Sequence, residues 1–213
     1  LVEEIDVRET YRVESAGFIG APVTMRKVLD DARFYYGGAD LGLTYTKERS
    51  VFKVWAPTAK KVSLMLYEDM GVYNEQGVVT SHVDGQEVVM NRLDQGVWTT
   101  GVSEDLEGQY YMYQVTFADG KVHYAVDPYA TAVSPNGQRT AVVDLRKTTP
   151  EGFKSAKKPV VAEPTDAVLY ELHVRDFSID ESSGISEELK GKFLAFTEEG
   201  TTLPGNDKIK TGV

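Results

Sequence analysis

Ser50-Val51-Phe52-Lys53-Val54-Trp55-Ala56-Pro57 sets the fold class of this chain. β-Branched and aromatic residues fill the run, as expected of a strand on a pleated, half-buried surface. Pro57 ends it, because proline has no N–H to give to a ladder. On the C-terminal side, Val62, Leu64 and Leu66 alternate with Ser63 and Met65. Further along, Tyr111, Tyr113, Val115 and Phe117 take one face while Gln114 and Thr116 take the other. Asp119-Gly120 then precedes Val122–Val126 and signals a hairpin whose two central turn residues need positive φ. Strands recurring every ~8–12 residues, with turn signals between them, predict a mostly β fold: an antiparallel, immunoglobulin-like sandwich over residues 34–146.

The flanks differ. Residues 5–13 alternate through Ile5, Val7, Tyr11 and Val13 and predict a strand. Thr24–Asp30 fits a helix, with Met25, Leu29 and Ala32 on one face, or a strand, with Val23, Met25 and Lys27 alternating. Residues 1–33 are too few to hold a core of their own, since segments below ~40 residues need staples. They read as the tail of an upstream module or an N-terminal arm. Residues 147–165 carry Lys147, Lys154, Lys157 and Lys158 among Pro150, Pro159 and Pro164, a polar linker.

Ala167-Val168-Leu169-Tyr170-Glu171-Leu172-His173-Val174 is nearly unbroken apolar sequence, the pattern of a strand covered on both faces in a parallel sheet. One such strand cannot bury itself, so its neighbours are expected in sequence outside these residues. Thr211 has the residue type of a helix N-cap. Together with Leu1-Val2-Glu3-Glu4, which lacks an initiator Met and a signal-peptide pattern, this suggests a piece of a longer protein. Cytoplasmic and secreted locations both stay open.

Lys plus Arg number 23 against 33 for Asp plus Glu among 213 residues, a net charge of −10. Such a surface repels phosphate backbones and anionic lipid, so neither nucleic acid nor membrane is an expected partner. The chain has no cysteine, which excludes disulfides, thiolate metal sites and a thiol nucleophile. Its histidines, His82, His123 and His173, are not spaced as a metal pair, and no cofactor is expected.

Val51-Phe52-Lys53-Val54-Trp55-Ala56-Pro57-Thr58-Ala59 resembles the opening strand of the N-terminal sandwich of starch-debranching enzymes, and Val126-Asp127-Pro128-Tyr129-Ala130 resembles its closing motif. Phe34-Tyr35-Tyr36-Gly37, followed by Asp40-Leu41-Gly42, resembles the entry into that module. Asp166–Ser178 is similar to the first barrel strand of type I pullulanases of the alpha-amylase superfamily, and Gly191–Glu198 to the segment before their first barrel helix. The resemblance covers residues 34–213. It implies a sandwich accessory module followed, over 166–213, by the start of a (β/α)8 barrel completed outside the chain. The implied activity is hydrolysis of α-1,6-glucosidic branch linkages in pullulan, starch and limit dextrins with retention of configuration. Its partners would be the α-glucan and a C-terminal chain carrying the rest of the barrel. A non-catalytic carbohydrate-binding or scaffolding module, and part of an isoamylase or glycogen-branching enzyme, are the alternatives.

Retaining chemistry needs two carboxyl groups about 5–5.5 Å apart. The family carries its carboxylates on later barrel strands, so none of the residues present is assigned as catalytic and the chain alone is expected to be inactive. Glu171, His173, Arg175 and Asp176 form a polar cluster that would either line the floor of a sugar cleft or anchor a loop, with Arg175 paired to Asp176. The second role is favoured. Trp55, Trp98, Tyr110, Tyr111 and Tyr113 offer flat faces for glucose rings. Trp55 is expected in the core, Trp98 on either side, and the substrate-binding residues stay unassigned. Asp127-Pro128 and Asn136-Gly137 are turn chemistry. Asp30-Asp31 and Asp180-Glu181 are read as solvated acidic pairs rather than calcium ligands, and no metal site is assigned.

Overall fold

The structure is a computed structural model and describes residues 5–158 and 160–211. The chain divides into two compact units, one ending at Phe153 and the other beginning at Lys154.

In the first unit, β1 (Arg12–Val13) and β2 (Ala21–Pro22) form a short hairpin. The sandwich follows: β3 (Gly42–Tyr45), β4 (Ser50–Trp55), β5 (Lys61–Tyr67), β6 (Gln86–Val89), β7 (Asn91–Arg92), β8 (Val97–Val102), β9 (Tyr110–Thr116), β10 (Val122–Ala125) and β11 (Thr140–Ala141). One sheet has the order β3-β4-β8-β7. The other runs β10-β9-β5-β6, with β11 also on β9. Every pairing in both sheets is antiparallel.

Alternation fills the space between the sheets. Phe52 and Val54 of β4 and Trp98 of β8 meet Val62, Leu64 and Leu66 of β5 and Tyr111 and Tyr113 of β9. Burying each aliphatic side chain contributes about 1.5–3 kcal/mol. The opposite face of β5 and β9 is covered too, where Met65, Tyr67 and Met112 form a smaller cluster. The sandwich and its strand faces agree with the sequence pattern.

Two local expectations need correction. Residues 5–9 turn rather than extend: the Glu9 amide donates to the Asp6 carbonyl, and the Arg8 guanidinium grips the Asp6 carboxylate at 2.7 Å. Only Arg12–Val13 pairs as a strand, because the Asp6–Arg8 lock gives the backbone before it a local alternative to a ladder. The β9–β10 hairpin exists, but with another turn. Gly120 donates to the Phe117 carbonyl and Phe117 to that of Lys121, with positive φ at Gly120 and not at Asp119. That is a type I turn with a bulged glycine, which needs only one left-handed residue. Thr24–Asp30 resolves into a short 3-10 turn at Val28–Asp30.

The second unit has α1 (Val174–Ser178) and a hairpin of β12 (Thr202–Leu203) and β13 (Asn206–Lys210). Phe177 stacks on Phe196 at 4.6 Å, and the buried Ser178 hydroxyl accepts from the Gly191 amide. Ile185 and Ala195 are buried. The expected strand at 167–174 is not formed among the described residues. Val168 is 94% and Leu169 93% exposed, and Val174 instead opens α1. A strand exists only by pairing, and no described segment offers this run a neighbour. Thr211 extends the hairpin, its amide donating to the Thr201 carbonyl and its hydroxyl to that of Ser183. A helix starting there would need Gly212 and Val213, which lie outside the described residues.

Candidate carbohydrate-binding face

Trp55 is the last residue of β4. Ser50, Phe52 and Val54 point inward, so Val51, Lys53 and Trp55 fall on the other face of the sheet. The indole is therefore 37% exposed rather than in the core, a correction that β4's own alternation explains. Its Nε1–H is shared between the carbonyls of Phe34 and Gln95, both at 2.9 Å. This fixes the ring and leaves its face as the usable surface. Trp98 sits in the core, donating to the Ala56 carbonyl at 3.0 Å. Tyr111 and Tyr113 are buried as well, and Tyr110 packs on the smaller cluster.

Around Trp55 lies a groove of about 430 Å³, walled by Leu29, Phe34, Tyr35, Tyr36, Leu41 and Tyr129, with Asp30 at its edge. The 3-10 turn at Ala32–Phe34 builds one wall. Asp31 caps it by accepting from the Arg33 amide at 2.9 Å, so its carboxylate serves the fold. Tyr36 donates to Asp40, which also pairs with Lys53.

Tyr129 builds the other wall, held from inside by Asp127. The buried Asp127 carboxylate accepts from the Tyr111 hydroxyl at 2.6 Å, the Tyr113 hydroxyl at 3.2 Å and the Tyr129 amide at 2.8 Å. Burial pushes both buried phenols well above the ordinary tyrosine range, with the Asp127 charge acting in the same direction. Asp127-Pro128 is a turn, as its chemistry suggests, and it is also a polar anchor inside the sandwich. Gly42 lets Tyr129 come close, since a Cβ there would lie 2.7 Å from that of Tyr129.

A second cleft of about 530 Å³ shares Phe34 with this groove and is lined by Asp6, Arg8, Arg33, Arg92, Asp94 and Gln95, among others. Gln95 has φ 59, and Gly96 follows at φ 78, a position where a Cβ would also meet Pro57 at 2.4 Å. This tight turn carries the Gln95 carbonyl to the indole.

Arg175 and His173 lie 3.8 and 3.6 Å from the Asp176 carboxylate, all three side chains about two-thirds exposed or more, and Glu171 is exposed. They do not converge on a cleft. Asp180 caps the turn at Glu181–Ser183, accepting from the Ser182 amide at 2.8 Å. Asn136-Gly137 forms a turn with both residues at positive φ. The sequence reading missed Arg139, which is 1% exposed in its side chain. It lies 3.6 Å over the Tyr67 ring and donates to the carbonyls of Asp69 and Ser81. No local pattern marks it.

An antiparallel sandwich with a fixed aromatic groove on one face has the architecture of a carbohydrate-binding module. Residues 40–130 match the family described as Carbohydrate-binding module 48 (Isoamylase N-terminal domain). Its relatives include pullulanases, whose N-terminal region the chain resembles, and a 1,4-alpha-glucan branching enzyme of Bacillus caldolyticus, 34% identical over 127 residues that make up 57% of this chain and 17% of that protein. The chain is 39% identical over 186 residues to the pullulanase of Bacillus subtilis, covering 86% of this chain and 22% of that protein. The pullulanase of Bacillus acidopullulyticus superposes with a TM-score of 0.79 at 43% identity, over 94% of this chain and 23% of that one. That of Paenibacillus barengoltzii, solved with maltohexaose and alpha-cyclodextrin, gives 0.76 at 45% identity over 89% and 27%. The chain thus spans about a fifth to a quarter of the length of these proteins.

Proposed function

We propose that this chain is the N-terminal part of a pullulanase that hydrolyses α-1,6-glucosidic branch linkages in pullulan, starch and limit dextrins with retention of configuration. Residues 34–146 are its glucan-binding module, 147–165 a linker, and 166–213 the opening of a (β/α)8 barrel. The catalytic acid and nucleophile, which retention places about 5–5.5 Å apart, are carried by sequence outside these residues.

The observation behind this reading is the apolar run at 168–172. Five consecutive residues after a well-packed sandwich make no backbone hydrogen bond among the described residues, and Val168, Leu169 and Tyr170 are more than three-quarters exposed. An apolar run left this open to water is unfavourable, and a neighbouring strand would give its backbone a ladder while its sheet gave the side chains cover. Its likeness to the first barrel strand of the family names that neighbour.

The test is a graft. Replace the matching region of the Bacillus acidopullulyticus enzyme with residues 1–213 and measure reducing ends released from pullulan. Activity in the graft, with none from the isolated chain, is expected. An inactive but folded graft, or turnover by the chain alone, overturns the proposal. The closed core of the sandwich favours a second reading, a stand-alone binding module. That reading predicts that deleting residues 160–213 leaves solubility and melting temperature unchanged.

A further inference from the structure

We infer that the Trp55 groove and the polar cleft beside it form one α-glucan track, with ring stacking at one end and hydroxyl recognition at the other. The inference rests on the glucan-binding reading above and assigns its residues.

Three observations carry it. First, the groove presents aromatic surface that the fold does not use. Tyr35 is 72% and Tyr129 53% exposed. Neither phenol hydroxyl, nor the Asp30 carboxylate, has a hydrogen-bond partner among the described residues. A pyranose offers an apolar C–H face ringed by hydroxyls, which suits aromatic planes edged by free donors and acceptors.

Second, the two depressions are continuous in construction. Phe34 lines both, and the Trp55 Nε1–H ties the Phe34 carbonyl of one wall to the Gln95 carbonyl of the next. A ligand leaving the stacking groove past Phe34 meets Arg92, Asp94 and Gln95. Among the described residues none of these three side chains has a partner.

Third, the charges fit a neutral polyol. The cleft sets Arg8, Arg33 and Arg92 beside Asp6 and Asp94, and Asp31 pairs with Arg33. A polyanion would meet the carboxylates and a polycation the guanidiniums. Vicinal hydroxyls can use both.

Calorimetric titration of the 213-residue chain with maltose and with maltoheptaose tests the track. Maltoheptaose is expected to bind at least about tenfold more tightly than maltose, because only the longer chain reaches both ends. Tyr35→Ala and Tyr129→Ala should each weaken both sugars by about tenfold, the scale of one aromatic contact. Asp94→Ala should weaken maltoheptaose alone. His123→Ala, in a depression lined by Phe117 and Lys121, serves as the control and should change nothing. Among the described residues the Tyr35 side chain makes no hydrogen bond, so its variant stays informative should Tyr129→Ala fail to fold. Undiminished maltoheptaose binding in the Tyr35→Ala/Tyr129→Ala double variant overturns the track and leaves glucan binding elsewhere on the chain. Absence of binding by the folded parent chain overturns the track and glucan binding by these residues together, while the pullulan graft still decides the enzyme reading.

Discussion

Arg139→Ala should be among the most damaging single substitutions in the sandwich. The guanidinium is almost wholly buried yet has no buried counter-ion among the described residues: its acidic neighbours, Asp69 at 3.5 Å and Asp84 at 3.6 Å, are 82% and 62% exposed. What holds it is the Tyr67 ring at 3.6 Å and hydrogen bonds to the carbonyls of Asp69 at 3.1 Å and Ser81 at 3.0 Å. Hydrogen bonds to a charged group contribute about 1.5–3 kcal/mol each, and a desolvated cation over a ring about 2 more. Freeing the guanidinium from its burial cost offsets part of that sum. Truncation also opens a cavity over Tyr67, so the net loss should be about 3–5 kcal/mol. For a unit of this size each kcal/mol moves the melting temperature by roughly 2–4 °C, so a fall of about 10 °C or more is expected by circular dichroism. Asp69→Asn and Asp84→Asn should each cost less than about 1 kcal/mol, because exposed pairs are weak. If Arg139→Ala melts within about 1 kcal/mol of the parent, or either Asn variant matches it, the stabilisation does not reside in the ring and the carbonyls.

Asp127→Asn weakens the acceptor of two buried phenols and should cost about 1.5–3 kcal/mol in urea unfolding, with maltoheptaose affinity falling as Tyr129 loosens. Tyr111 and Tyr113, raised by burial, keep their protons in the fold while unfolded phenols lose theirs near the ordinary value of 10.0. Their contribution is complete below that pH and lost above it, so stability should fall as pH climbs past about 10, and phenolate absorbance should lag until the sandwich opens. At the acid end, the Arg8 guanidinium holds the Asp6 carboxyl at about 2 against an ordinary 3.8. That contribution is present above about 4 and lost as pH falls toward 2, and Arg8→Met should flatten this part of the stability–pH curve. Gly96→Ala forces a side chain onto Pro57 at a left-handed backbone position and should lower the melting temperature while Gly120→Ala, with open space around it, does less.

Strand faces were legible because a period of two survives in the residues themselves. Val62, Leu64 and Leu66 point where their spacing says, and so do Tyr111, Tyr113 and Val115. Turn chemistry was legible at Asn136-Gly137 and in the existence of the β9–β10 hairpin. Its type was not, since one glycine serves a bulged type I turn as well as a mirror-image one. At the candidate site, Trp55 was assigned to the core on residue type, although the alternation of its own strand already placed it opposite Phe52 and Val54. Arg139 and the inner role of Asp127 were illegible for a different reason. Each depends on partners 14 to 70 residues away, such as Tyr113 and the Asp69 carbonyl, and pairwise chemistry at that range leaves no trace in a local window.

The same limit explains the run at 168–172. Its residues ask for cover on both faces, and the pattern carries that request whether or not cover is at hand. Periodicity specifies the environment a segment needs, whereas a ladder requires a second segment to exist. On the proposed reading, the near-complete exposure of Val168 and Leu169 is that of an inner strand without its neighbours. The distinction can be measured. Val168→Lys should leave the isolated chain's melting temperature unchanged, because the side chain touches little there. In the pullulan-hydrolysing graft it should lower stability by about 1.5–3 kcal/mol or more, the worth of a buried valine with a charge added against it. A graft that tolerates Val168→Lys without loss would mean that this run stays in water in the complete protein, and the barrel assignment of residues 166–213 would have to be withdrawn.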